Sequence, residues 1–237
     1  MKLHVLGSSS KGDCYLIADK DKCLIIEAGI NPKEVLKAID FDLKKIVGIL
    51  VTHEHQDHAK YIGEWLDKGL KVYLSKGTLE MLSIKHHNLV IIEKLKQFYM
   101  NDFKILPFDV KHDAEEPLGF LINNKSFGNL LFVTDSYYCK YKFKGLNHIM
   151  IEANYDEAIL EKSKSEYKNR VLQSHMSIDT CLKFLRSNDL SQVETITLLH
   201  LSDGHSNEDD FKRKARSETG KITYIANKGL EINLEDF

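Results

Sequence analysis

The sequence has few of the features that mark secreted or membrane proteins. Its 237 residues include only four cysteines, at positions 14, 23, 139 and 181, and no Cys-x-x-Cys pair. Structural disulfides are rare in reducing compartments, and the start of the chain does not have the pattern of a signal peptide, so we expect a cytoplasmic protein. No apolar run approaches the ~20 residues that cross a membrane, so no membrane partner is expected.

Linkers and a strong net charge are also lacking. With three prolines and no Gly/Ser-rich segment or repeat, residues 1–237 are expected to form a single domain. The formal net charge of -2 does not favour a nucleic-acid partner, because phosphate neutralisation dominates such affinity. Two basic clusters, 140–144 and 212–216, are expected to be solvated faces. The first interleaves lysines with aromatics, and its alternative is a substrate-contacting loop. A homo-oligomer is compatible with this composition.

Hydrophobic periodicity predicts alternating strands and helices, which indicates the α/β class. The predicted strands run from Lys2 to Leu6, Cys14 to Ala18, Cys23 to Glu27, Ile46 to Val51, Lys71 to Leu74, Phe103 to Val110, Leu118 to Asn123, Leu130 to Thr134, His148 to Ile151, Thr195 to Leu199, Ile222 to Ala226 and Leu230 to Leu234. The predicted helices run from Pro32 to Ile39, Tyr61 to Gly69, Thr78 to Lys85, Asp156 to Leu172, Ile178 to Ser187 and Glu208 to Thr219.

The segment VTHEHQDHA, residues 51–59, is the strongest functional signal. His53 and His55 are two residues apart, so in an extended backbone both rings project to the same side and can bind one ion. Asp57 and His58 follow where the chain turns, and they can reach a second ion. A solvated polar turn is the alternative, but the segment lies between an apolar strand and an apolar helix. We therefore predict a metal site.

Further metal donors follow apolar runs downstream. They are His112, Asp135 and His200, each at the end of a predicted strand. Alone, each is compatible with an ordinary polar strand end. Together, imidazoles and carboxylates suit either zinc or manganese, and two such divalent cations would lower the pKa of a shared water molecule. Asp57 can also orient the resulting nucleophile.

The pattern His-x-His-x-Asp-His at a strand end resembles the signature of the metallo-β-lactamase superfamily. The resemblance implies an αββα sandwich and a dinuclear metal hydrolase. It also implies that His53, His55 and His112 bind one ion, that Asp57, His58 and His200 bind the other, and that Asp135 bridges both.

Glu152 and His175 resemble a pair found in the phosphodiesterase branch of this superfamily, which includes the tRNA 3′-processing nucleases. In that branch a Glu orients a His that serves the scissile phosphate. A histidine held by a carboxylate can stabilise a phosphorane oxygen or protonate the leaving oxygen. The alternative is that Glu152 merely ends a strand and His175 merely precedes a helix, with Ser177 as its N-cap.

Two loops are candidates for phosphate binding. The first contains Ser8, Ser9, Ser10 and Lys11, whose small side chains and hydroxyls would suit a phosphate, although a hairpin turn explains them nearly as well. The second contains Ser202, His205 and Asn207, before a helix whose first N–H groups could face an anion. Simple N-capping is the alternative there.

These segments together resemble the YycJ or WalJ family of bacterial DNA exonucleases, from Leu3 to about Leu234. The resemblance implies a 5′-to-3′ exonuclease. The alternatives are a cyclic-nucleotide or other small-molecule phosphodiesterase, a thioester or lactone hydrolase, and a metal-binding protein without catalysis. Three departures from the family pattern matter. The chain is short and the substrate-gripping arm of the tRNA-processing relatives is not recognisable, so tRNA is not the expected substrate. The other two concern single residues. Glu27 replaces a usual Asp, so the His53 loop is expected to be held through a longer arm, and Asp13 replaces a usual Asn near the first phosphate loop.

Overall fold

The computed structural model describes residues 1–162 and 165–235. The chain divides into two compact units. Unit 1 comprises Met1–Asp109, Ala114–Leu118 and Asn227–Phe237, and unit 2 comprises Val110–Asp113 and Gly119–Ala226. Within the described residues, no helix combines the length and the apolar character needed to span a membrane. The single-domain expectation stays a prediction.

Unit 1 contains a mixed sheet. Its strands, in spatial order, are β14 (Glu231–Asn233), β1 (Lys2–Gly7), β2 (Cys14–Ala18), β3 (Cys23–Ile26), β4 (Ile46–Leu50), β5 (Val72–Leu74) and β6 (Leu89–Ile91). Pairing is antiparallel from β14 to β3 and parallel from β3 to β6. An antiparallel hairpin is formed by β7 (Phe98–Met100) and β8 (Phe103–Asp109). The helices are α1 (Pro32–Ala38), α2 (Gln56–Ala59), α3 (Ile62–Asp67) and α4 (Lys76–Leu82).

Unit 2 is built on a mostly parallel sheet. Its strands, in spatial order, are β13 (Ile222–Ile225), β12 (Thr195–Leu199), β11 (His148–Glu152), β10 (Gly128–Val133) and β9 (Leu118–Asn124). The β9 and β10 strands are antiparallel, and β10 to β13 are parallel. The helices are α5 (Glu157–Leu160), α6 (Ser165–Ser174), α7 (Ile178–Ser187) and α8 (Glu208–Thr219).

The buried strands explain why the polar candidate residues lie at the carboxyl ends of the parallel strands. All five residues of β11 and all five of β12 are buried, as expected for strands covered on both faces. The carboxyl ends of neighbouring parallel strands meet at one edge of a sheet, where ligands bind in α/β proteins. In unit 2 that edge presents Asp135, Glu152 and His200, and in unit 1 the ends of β3 and β4 present Glu27 and His53.

All the predicted strands are present with small shifts at their ends, but one predicted helix is wrong. The segment from Asp156 to Leu172 is not one helix, because α5 ends at Leu160 and residues 161–162 form a turn. Residues 163–164 of that prediction lie outside the described residues. Every residue from 161 to 166 is polar, so no buried face extends the helix beyond Leu160.

Candidate metal centre and active site

The histidines of the 51–59 segment are grouped in unit 1. His53 follows β4, and its ring centroid lies 4.7 Å from that of His55 and 4.2 Å from that of His58. His53 is 1% exposed and His58 is fully buried. The Thr52 hydroxyl lies 2.9 Å from Nδ1 of His53, which orients the ring and leaves Nε2 to face the other imidazoles. Three imidazoles gathered in this way could hold a metal ion.

Carboxylates surround His58. Its Nε2 lies 3.6 Å from Oδ2 of Asp13 and 3.9 Å from Oδ2 of Asp57, while its Nδ1 lies 3.4 Å from Oε1 of Glu27. Asp13 and Glu27 are fully buried. Buried carboxylates are stable only when a positive charge compensates them, so this donor set fits a divalent cation. Asp13 was expected near a phosphate loop, and its position beside His58 was not foreseen.

Close backbone contacts fix the loop that contains Asp57. Its carbonyl accepts a hydrogen bond from the Asp13 amide at 2.8 Å, and the His58 carbonyl accepts one from Ala28 at 2.7 Å. A Cβ at Gly29 would lie 1.6 Å from the Asp57 carbonyl oxygen, so only glycine fits there. Glu27 accepts a hydrogen bond from the Thr52 amide at 3.3 Å. Glu27 thus holds the loop before His53 through its longer side chain, as expected from the replacement of the usual Asp.

The first phosphate-loop candidate is tied to the same cluster. The Ser8 hydroxyl lies 2.7 Å from the hydroxyl of Tyr15, which is buried and donates to Asp13 at 2.9 Å. Ser9 starts a turn whose carbonyl accepts from Gly12 at 2.8 Å, and residues 10–11 are exposed. The loop is thus connected to His58 through Tyr15 and Asp13, while its tip is open to solvent.

In unit 2, donor atoms of Asp135, Glu152, His175 and His200 all lie within 4.8 Å of one another. Oδ1 of Asp135 lies 3.1 Å from Nδ1 of His200, and its Oδ2 lies 3.8 Å from Nε2 of His112. His112 donates from Nδ1 to the Ser174 carbonyl at 2.8 Å. That bond leaves the Nε2 lone pair directed at Asp135, as a metal ligand requires.

The protonation of His112 is consistent with this role. Burial lowers the pKa of His112 below its usual range, although the nearby Asp135 carboxylate opposes the effect. His112 is therefore a neutral imidazole near neutral pH, and neutral imidazole is the form that binds metals. Asn154 donates to the His200 carbonyl at 2.7 Å and fixes that residue at the end of β12.

Glu152 and His175 form a direct contact. Nδ1 of His175 lies 2.7 Å from Oε1 of Glu152, while Oε2 of Glu152 accepts from the amides of Ser136 at 2.7 Å and Met176 at 3.2 Å. Burial lowers the pKa of His175, but the Glu152 charge, its hydrogen bond and Asp135 together raise that pKa above the usual value. The reciprocal effect holds the pKa of Glu152 down against its burial. The contact orients the imidazole of His175 and favours its protonated form.

Two of these residues have an unusual backbone. Asp135 has φ of 43° and His200 has φ of 53°, both in the left-handed region that non-glycine residues avoid. Each follows a buried strand, and the turn of the backbone there brings both side chains to the same sheet edge. Strain of this kind is concentrated at functional sites.

The second phosphate-loop candidate is occupied by local hydrogen bonds. The Ser202 hydroxyl lies 3.2 Å from Nδ1 of His205, and Asn207 accepts from the Asp210 amide at 3.0 Å as the N-cap of α8. The first turn of α8 is acidic, with Glu208, Asp209 and Asp210. These charges oppose an anion at the N-terminus of this helix. Phosphate binding by Ser202, His205 and Asn207 stays a prediction.

Comparison with known proteins shows which proteins this chain is similar to. Residues 10–117 match the metallo-beta-lactamase superfamily. The exodeoxyribonuclease YycJ of Bacillus anthracis is 28% identical, over 98% of this chain and 92% of that protein. The exodeoxyribonuclease WalJ of Streptococcus pneumoniae serotype 2 is also 28% identical, over 85% of this chain and 81% of that protein. The crystal structure of the metallo-beta-lactamase fold protein YhfI from Bacillus subtilis superposes with a TM-score of 0.74 at 15% identity, covering 98% of this chain and 99% of that one.

These matches confirm three predictions made from the sequence, namely the resemblance to the YycJ and WalJ proteins, the fold class and the class of enzyme. The clustered His and Asp residues of each unit agree with them. The chain is a metal-dependent hydrolase similar to the YycJ and WalJ proteins, and its residues 10–117 are similar to the metallo-β-lactamase superfamily.

Proposed function

We propose that the protein is a dinuclear metal-dependent phosphodiesterase that degrades DNA as a 5′-to-3′ exonuclease in the cytoplasm. The observation that supports this most directly is the Glu152 and His175 pair, in contact at 2.7 Å and grouped with Asp135 and His200. An alkoxide leaving a phosphodiester needs a proton, whereas thiolates and activated leaving groups need one much less. The names of the YycJ and WalJ relatives support DNA as the substrate.

The proposed metal ligands are those predicted from the sequence. In this proposal His53, His55 and His112 would hold one ion, Asp57, His58 and His200 would hold the other, and Asp135 would serve both. Asp13 is a further carboxylate beside His58, at 3.6 Å. Two divalent cations would neutralise phosphate charge and acidify water. Nitrogen and oxygen donors in this proportion suit zinc or manganese.

The protein residues have separate tasks in this scheme. Asp57, 20% exposed beside His58, would accept the proton of the attacking water. Glu152 holds His175 by Nδ1, so the Nε2–H of His175 remains to donate to the departing oxygen. The backbone near Ser8 to Lys11 would hold the phosphate. Proton donation by His175 therefore depends on the ring orientation that Glu152 fixes.

A substrate panel tests the proposal. Protein loaded with zinc or manganese is incubated with end-labelled single-stranded DNA, double-stranded DNA, RNA and cyclic nucleotides, and Asp57→Ala is the matched inactive control. We expect mononucleotides from DNA, released first from the 5′ end. Hydrolysis of cyclic nucleotides alone would favour a small-molecule phosphodiesterase, which the net charge of -2 also suits. Full activity of Asp57→Ala would refute the proposed nucleophile.

A further inference from the structure

A groove in unit 2 lies outside the metal cluster. It has a volume of about 370 Å³ and is lined by residues 138–142, in the loop after β10, and by Thr180, Lys183, Phe184 and Ser187 of α7. The four α7 residues are spaced i, i+3, i+4 and i+7, so they form one face of the helix. We call this the lysine-tyrosine groove. None of its residues is among the proposed metal ligands.

Both walls of the groove begin at the catalytic pair. The loop starts directly after Asp135, and its first amide, that of Ser136, donates to Glu152 at 2.7 Å. The other wall, α7, starts after His175, with Ser177 as its N-cap. The Met176 amide donates to the same Glu152 carboxylate at 3.2 Å. The groove is thus anchored at Glu152 and leads away from it along α7.

The chemistry of the lining suits a nucleic acid strand. Lysines 140, 142 and 183 provide positive charge, and no carboxylate lines the groove among the residues that the structure describes. Tyr138 is 54% exposed, and Nζ of Lys140 lies 5.0 Å from the centre of the Tyr141 ring. Aromatic faces with interleaved lysines bind single strands, because bases stack on the rings while phosphates meet the ammonium groups.

The other basic cluster, residues 212–216 on α8, lacks this chemistry. Lys214 lies 3.0 Å from Asp156 and 2.9 Å from Asp210, and Arg213 pairs with Asp210. Its charges are partly neutralised by these carboxylates, and none of its residues is aromatic. This contrast selects the lysine-tyrosine groove as the binding surface and gives α8 the role of a matched control.

We propose that the lysine-tyrosine groove binds the single-stranded DNA adjacent to the scissile phosphate, an inference that rests on the proposed function. Thr180 and Ser187 are about 10 Å apart along the helix axis. Stacked bases rise by about 3.4 Å, so this length accommodates about three nucleotides. A single strand fits this chemistry because its base faces are accessible to Tyr138, whereas those of a duplex are stacked on each other.

The first test measures charge. Metal-free protein, which cannot cleave, is titrated with fluorescent oligothymidylates of two to six nucleotides at several salt concentrations. The variant Lys140→Gln/Lys142→Gln/Lys183→Gln is compared with Lys212→Gln/Arg213→Gln/Arg216→Gln, which removes the same charge from α8. For the groove variant we expect the slope of log affinity against log salt to fall by about 2, since each single-strand phosphate contact contributes about 0.7. In the groove variant, affinity should also no longer increase with the length of the oligothymidylate.

The second test measures stacking. Tyr138→Ala should weaken binding of six-nucleotide DNA by about 5- to 100-fold, and Tyr138→Phe should restore it, because a phenyl ring also stacks. Tyr99→Ala, at a tyrosine 63% exposed in unit 1, is the control. Unchanged thermal unfolding and metal content show that the variants are folded.

The outcomes separate the two proposals. Equal weakening by the groove and α8 variants, or no effect of either, overturns the groove proposal even when the parent protein degrades DNA. A parent protein that binds single strands through this groove but hydrolyses only other diesters leaves the groove supported and refutes the exonuclease proposal.

Discussion

Glu152→Gln is the sharpest test of the active site, because the substitution keeps the shape of the side chain and changes chiefly the 2.7 Å contact with His175. Oε2 of Glu152 accepts two backbone N–H groups, from Ser136 and Met176, so the glutamine oxygen must take that position. The glutamine NH₂ then faces Nδ1 of His175, where Oε1 now lies at 2.7 Å. A donor in that place forces Nδ1 to accept, and the imidazolium loses its stabilising carboxylate.

The size of the effect on the pKa of His175 and on the rate follows from replacing the carboxylate by an amide. A charge-assisted hydrogen bond contributes about 1.5–3 kcal/mol, so its loss should bring the raised pKa of His175 below the usual value. A group with a raised pKa stays protonated to higher pH, and activity that needs the protonated form falls as pH passes that pKa. In Glu152→Gln the fall should therefore occur at lower pH. On DNA the rate near neutral pH should drop by about 10²- to 10⁴-fold, the scale of general acid catalysis.

The assay compares leaving groups. A nitrophenyl phosphodiester needs no proton on its leaving oxygen, so Glu152→Gln and His175→Ala should lose far less rate on it than on DNA. Metal content is measured for each variant, and Glu194→Gln is the control, since it alters another Glu and His pair, with His148 at 3.5 Å. Equal losses on both substrates would show that His175 stabilises charge instead of donating a proton. Full DNA activity of His175→Ala would refute the mechanism.

Three further predictions concern the metals and their support. Protein purified without chelator and supplemented with zinc and manganese should contain more than one ion per chain by elemental analysis, and a stoichiometry at or below one would exclude a dinuclear centre. Asp13→Asn should weaken metal affinity by about 10- to 100-fold in chelator competition, with folding unchanged, because a charge beside His58 is lost. Gly29→Ala should lower stability by at least about 1–3 kcal/mol in chemical denaturation, since the added methyl group meets the Asp57 carbonyl. Gly63→Ala, where a Cβ meets nothing within 4 Å, should be tolerated, and equal effects of the two would contradict the steric argument.

Local patterns in the sequence were sufficient to predict features that depend on residues close together in the chain. The grouping of His53, His55 and His58 follows from spacing within one segment, and the buried strands follow from continuous apolar runs. The contact between Glu152 and His175 was expected only from the family resemblance. The roles of these residues, and the sharing of ligands between two ions, stay predictions.

The sequence was least informative about long-range pairing. Asp13 reaches His58 because β2 pairs with β3, and no local pattern contains that register. The three-residue strands β6 and β7 were missed, since their short and partly exposed runs have no clear period. The α2 helix, at a single turn, is too short for periodicity to detect. Likewise, the pairing of Lys214 with Asp156 joins residues far apart in the chain.

The left-handed backbones of Asp135, His200 and Glu27 have a consequence for the stability of the protein without bound ions. Each such residue costs about 1–2 kcal/mol relative to an ordinary conformation. The folded chain without ions is therefore less stable than its core alone would make it, and ions that bind only the folded state raise stability by mass action. A change of a few kcal/mol alters the unfolded fraction that proteases degrade. Loss of the bound ions would thus lower the stability of the folded protein as well as its activity.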